Sequence, residues 1–148
     1  MRQPKPPLVG TSNADETEAA FYDALQNGDI EKLMTCWSDD DEIVCIHPGG
    51  ARLVGPAAIR NAFDAMFANG TIRAQPLKVR RLQSLSASVH SVLERIDVLT
   101  EEGPRHAYVV ATNVYHQTPQ GWRMVAHHAS LGTLHELHEV SEAPFILH

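Results

Sequence analysis

Only two of the 148 residues are cysteines, Cys36 and Cys45. That is too few for a disulfide scaffold, and two thiols by themselves cannot hold a metal ion. Cys36 falls at a helix end and Cys45 inside a strand, which suits reduced, buried thiols in a cytoplasmic protein. Long apolar runs are missing too: no window approaches the roughly 20 apolar residues of a membrane span. Residues 1–12 read as a disordered arm, because Met1 to Gly10 carry three prolines and no apolar run of a secretory leader. Excess positive charge is also lacking. A formal net charge of −6 without a basic stripe argues against nucleic acid or an anionic membrane surface as the main partner. There is no glycine loop to cradle a phosphate, no GxSxG elbow and no setting for a cysteine nucleophile. Among the nine histidines, His135-Glu136-Leu137-His138 is one residue short of the HExxH motif, and His127 with His128 cannot chelate from one strand. No metal and no cofactor is therefore expected.

What is present fits one domain over residues 13–134, followed by a short mixed tail, 135–148. Asn13 and Glu16 form a capping box for a helix over 14–27, which places Thr17, Phe21, Ala24 and Leu25 on one side and ends at Gly28. Asp29 caps a second helix whose stripe is Ile30, Leu33, Met34 and Trp37. A strand then ends at His47, a Pro-Gly-Gly turn follows, and a return strand leads to Pro56, the first residue of a third helix with Ile59, Ala62, Phe63, Met66 and Phe67 facing inward. From Thr71 the pattern changes to long strands near 78–86, 89–100, 106–118 and 121–133, joined by turn chemistry. Helices first and then a meander is the order of an α+β domain, with three helices packed on one face of a curved, mainly antiparallel sheet.

Strand alternation nominates the site. His47, held where a strand stops, can face a pocket. On the strand 89–100, His90, Val92, Glu94 and Ile96 share a face. Glu94 among aliphatic neighbours is a general acid or base if that face meets the helices, and an ordinary solvated carboxylate if it does not. Next, Asn113 and Tyr115 share a face of the strand 106–118 with Ala107, Val109 and Ala111. On the last strand, adjacent His127 and His128 point to opposite faces; Trp122 and the small Ala126 and Ser130 on the His128 side favour His128 as the cavity residue. Both faces of the sheet are largely apolar, so a second cover is expected, supplied by another copy of the chain.

Three segments carry a resemblance: Phe21-Tyr22-Asp23-Ala24-Leu25-Gln26-Asn27-Gly28-Asp29 with Leu33 and Trp37; Val54-Gly55-Pro56-Ala57-Ala58-Ile59; and Gly121 to Ser130. In these the chain resembles the nuclear-transport-factor-2-like (cystatin-like cone) superfamily, in particular its SnoaL-like and ketosteroid-isomerase-like members, from Asp15 to Leu134. The resemblance implies a cone with a deep apolar pocket and a homodimer through the outer sheet face. It also implies that His47 stands where ketosteroid isomerases keep their aspartate base. Their helix-one tyrosine aligns with Phe21 and their second acid with Val114. Neither can donate a proton, which argues against steroid isomerisation. The His-x-x-Ser ending of the last strand is similar to the association domain of calcium/calmodulin-dependent kinase, a non-catalytic module.

Two readings follow. In the first, an enzyme works by general acid/base chemistry on a small apolar, polycyclic or keto molecule, with His47, His128 and Glu94 as the catalytic groups and Trp37, Phe21, Phe63, Asn113, Tyr115 and Trp122 around the substrate. In the second, the chain is a dimeric binding or association module.

Overall fold

A computed structural model describes residues 13–136; the expected arm over 1–12 and most of the tail lie outside the described residues. Three helices, α1 (Ala14–Asn27), α2 (Ile30–Cys36) and α3 (Pro56–Ala68), combine with six strands, β1 (Val44–Ile46), β2 (Leu53–Val54), β3 (Ala74–Gln83), β4 (Ala87–Thr100), β5 (Gly103–Thr118) and β6 (Gly121–Leu131). The α+β expectation holds, with the helices packed against an open mixed sheet in the order β2-β1-β6-β5-β4-β3. Among these six strands, β1 and β6 form the one parallel pair.

Helix α1 starts where its cap directs: Asn13 accepts from the Glu16 amide at 2.9 Å, and Gly28, at φ 63°, closes the other end in the left-handed region that favours glycine. The helix is tied to two strands of the sheet. Thr17 Oγ1 donates to the Trp122 carbonyl on β6 at 2.7 Å, and Gln26 Nε2 donates to the Ala74 carbonyl on β3 at 2.7 Å. Its buried residues include Ala14, Thr17, Glu18, Phe21, Tyr22 and Leu25, a broad inward stripe at i, i+3, i+4, i+7, i+8 and i+11. Phe21 is the hub of the aromatic core, with edge contacts to Tyr22, Trp37 and Phe63 at centroid distances of 5.2, 6.5 and 6.3 Å.

A single extra residue decides which way β6 faces. Val114 pairs with Ala126, but the next β5 residue, Tyr115, pairs with Met124, so Val125 is a bulge. Because side chains alternate with period two, that insertion reverses the facing of everything beyond it. Trp122 and Met124 point inward before the bulge, and His127 and Ala129 point inward after it. His128 therefore lies on the outer, exposed face, and the expectation that it lines the cavity is corrected in favour of His127.

Candidate functional site

The sheet and helices form a half-open cavity of about 150 Å³. Phe21 and Leu25 come from α1, Phe63 and Met66 from α3, Ile72 and Ala74 from the approach to and start of β3, and Glu94 and Ile96 from β4. Val109 of β5, His127 and Ala129 of β6, and His47 and Pro48 beyond β1 complete the wall. Three polar groups, Glu94, His47 and His127, thus meet in an otherwise apolar space.

Glu94 is 4 % exposed, and burial pushes its carboxyl up to about 7, with the Glu18 carboxylate pushing the same way and the Tyr22 hydroxyl opposing. Tyr22 Oη donates to Glu94 Oε2 at 2.5 Å. With Oε2 so held, Oε1 makes no hydrogen bond to another of the described residues. Burial also raises the Tyr22 hydroxyl well above its ordinary value, so it stays a donor. Replacing Tyr22 with phenylalanine removes this donor, and the Glu94 titration should move further above 7. The cost in stability should be about 1 kcal/mol; carboxyl NMR titration and urea denaturation read the two effects.

His127 is anchored through Asn113. The Asn113 Nδ2 group donates to Glu18 Oε2 at 3.2 Å and to Tyr22 Oη at 3.1 Å. Turning the amide over would set its oxygen against a carboxylate oxygen, so Oδ1 must face His127, whose Nδ1–H donates to it at 2.6 Å. The tautomer is fixed by this contact, and Nε2 carries the lone pair. Burial, then the neighbouring His47 and His128, push His127 down to about 3, keeping it neutral. The His47 ring lies 6.1 Å from the His127 ring and meets Phe63 edge-on at 5.0 Å. Its Nε2 is 3.6 Å from Cys45 Sγ, and burial lowers its pKa.

Behind the cavity the polar chain continues into the core. Glu18 Oε2 accepts from Tyr115 Oη at 2.6 Å, from His90 Nδ1 at 3.0 Å and from Asn113. His90 Nε2 meets Ser88 Oγ at 2.9 Å. Ser88, His90 and Glu18 have the spacing of a nucleophile, an imidazole and a carboxylate. Ser88 and His90 have no exposed surface, however, and neither borders the cavity, so the trio secures α1 to the sheet. The ligand atoms of Asp15, Glu18 and His90 lie within 4.8 Å of one another, but Asp15 is paired with Arg81 at 2.6 Å and the other two with each other.

Of the residues nominated from the sequence, the structure brings His47, Glu94, Phe21 and Phe63 to the cavity wall. Asn113 and Tyr115 stand behind the wall, in the polar chain. Trp37 and Trp122 belong to the buried core and do not border the cavity. Three buried polar residues that hold the others, Glu18, Tyr22 and His90, were not nominated, and His127 was passed over for His128 because of the bulge. Glu18 could have been found as a carboxylate sitting within the inward stripe of α1.

Residues 15–133 match the family model described as the SnoaL-like domain. A Thiobacillus denitrificans structure named as a calcium/calmodulin-dependent protein kinase type II association domain is 35 % identical, with 84 % of this chain and 98 % of that one covered and a TM-score of 0.76. A Streptomyces avermitilis structure named as a dehydratase of the NTF2-like family is 27 % identical over 78 % of this chain and 91 % of that one, with a TM-score of 0.71. A Caulobacter vibrioides protein with a cystatin-like fold, 14 % identical over 80 % of this chain and 87 % of that one, shares the fold at a TM-score of 0.69. No curated protein matches the chain. The chain belongs to the SnoaL-like domain family, within the NTF2-like superfamily.

Proposed function

We propose that the chain is an enzyme that moves a proton on a small, uncharged molecule held in the cavity, with Glu94 as the group that takes and returns it. The observation that carries this reading is the placement of Glu94: a buried carboxyl that lines an apolar cavity, has one oxygen held by Tyr22, and has a pKa raised to about 7. Near neutral pH such a group is populated as both acid and base, the condition for efficient proton transfer. His47 lines the same cavity as a second hydrogen-bonding group, as the sequence suggests for a base at the end of β1. His128 has no part, since it faces outward. The dehydratase name of the Streptomyces avermitilis relative belongs to a chemistry of the same kind, in which a proton leaves carbon and a hydroxyl is protonated. Deuterium uptake from heavy water into a panel of small ring ketones and hydroxyketones, followed by NMR with wild type and Glu94→Gln, tests the reading. Exchange that is equal in the two proteins sinks it.

The 35 % identity to a structure named as an association domain favours a second role, assembly of copies through the outer sheet face. Leu82 and Val89, a cross-strand pair of β3 and β4, lie on that face, 78 % and 37 % exposed. Sedimentation of the purified chain should show a dimer or larger assembly that Leu82→Lys shifts toward monomer; a monomer at all concentrations excludes this role. The two roles are compatible, because inner and outer faces are different surfaces of one sheet.

A further inference from the structure

We infer that the cavity selects a neutral molecule of about one ring in size that carries a hydroxyl group, and that His127 Nε2 is the acceptor that recognises the hydroxyl. This deepens the acid/base reading above and rests on its placing of the working site in this cavity. Three observations converge on it. Size comes first: a void near 150 Å³ is one that accommodates a benzene-sized ring, which is narrower than the polycyclic molecules the sequence reading allowed.

Charge is the second. No lysine or arginine borders the cavity, so an anion would be buried without a counter-charge. Its one carboxyl, Glu94, is shifted toward the neutral form by burial, so a cation gains little there.

The third is the direction of the hydrogen bonds. Asn113 takes the Nδ1–H of His127, and Asn113 is itself oriented by donating to Glu18 and Tyr22. His127 therefore offers the cavity a lone pair and no proton. Among the described residues nothing donates to its Nε2, although the ring is 5 % exposed and lines the void. An acceptor that has no protein donor and belongs to a residue lining the void is satisfied by a ligand O–H, and an analogue lacking that group leaves it unpaired.

Calorimetric titration at pH 6.5 with benzyl alcohol, toluene, benzoate and benzylammonium tests this. Benzyl alcohol should bind about fivefold or more tightly than toluene, with benzoate and benzylammonium weaker than either. In His127→Phe the preference for the alcohol over toluene should vanish. In wild type, independently of how that variant folds, the ¹⁵N resonance of His127 Nε2 should move upfield with benzyl alcohol and stay in place with toluene. Equal binding of alcohol and toluene, tighter binding of either ion, binding of no neutral probe, or an unmoved His127 resonance overturns the inference. Alcohol preference without any Glu94-dependent deuterium exchange would remove the acid/base reading and leave the ligand class standing. Glu94-dependent exchange with no alcohol preference would do the reverse.

Discussion

Replacing Glu94 with glutamine is expected to lower turnover by about 10²- to 10⁴-fold, the usual contribution of a positioned general acid or base, while making the protein more stable above neutral pH. The two effects share a cause. In the unfolded chain this carboxyl ionises near its ordinary value of 4.5, whereas in the folded protein it holds its proton to about 7. Between those values the native state binds a proton that the unfolded state has released. Stability therefore falls as pH rises through that window, by about 3 kcal/mol in all. Glutamine at position 94 can still accept from Tyr22, but it carries no titrating proton, so this component of the pH dependence disappears. Urea denaturation at pH 5 and pH 8 should show wild type losing stability between the two and Glu94→Gln losing less. Its advantage at pH 8 should be about 3 kcal/mol before any loss from altered packing. The pH–rate profile of wild type should carry an inflection near 7 that the variant's residual activity lacks. Parallel stability curves for the two proteins would show that Glu94 ionises freely and is not held by the cavity at all.

The elements near the chain's turns and caps could be read in advance because their signals are local. Asn13 and Gly28 bound α1, Asp29 caps α2 and Pro56 opens α3 as their chemistry requires. Glu94 was visible for the same reason, as a carboxylate in the inward alternation of β4. Its partner was not: Tyr22 lies 72 residues away, and only the docking of α1 across the sheet brings the hydroxyl to it. The histidine pair shows a different limit. His127 and His128 were correctly assigned to opposite faces, but the choice between them depends on one bulged residue, Val125, and nothing in the apolar run around it marks which residue is extra. Trp122 faces inward as the small-residue pattern suggested, and the phase is lost three residues later. A pattern of period two carries no memory across an insertion of one. His47, expected as the leading base, does line the cavity; under the proposed function that part passes to Glu94, whose carboxyl is raised to about 7.

Glu18→Leu should cost about 3–5 kcal/mol of stability, the range for removing one partner of a buried charged network, and a large share of the 5–15 kcal/mol that typically holds a domain. Three buried donors, from His90, Tyr115 and Asn113, end on a single Glu18 oxygen. An aliphatic side chain leaves all of them without an acceptor in a region from which water is excluded. Glu18→Gln keeps one oxygen for them and should cost less, about 1–2 kcal/mol. Removing the orphaned donors should recover part of the loss: Glu18→Leu combined with Tyr115→Phe and His90→Leu ought to be less destabilised than the sum of the single changes, because the sites share partners. Chemical denaturation of the set measures this, and a Glu18→Leu cost below about 1 kcal/mol would mean that the donors find other acceptors. The consequence reaches the cavity. Asn113 is oriented by Glu18 and Tyr22 and in turn fixes the His127 tautomer, so freeing one of its anchors lets the amide turn and His127 present Nε2–H in place of a lone pair. Glu18→Leu should therefore weaken the preference for a hydroxyl ligand in the fraction that remains folded, whereas Glu18→Gln, which keeps the accepting oxygen, should largely preserve it. A carboxylate that never borders the cavity thereby sets the hydrogen-bonding sign of its wall.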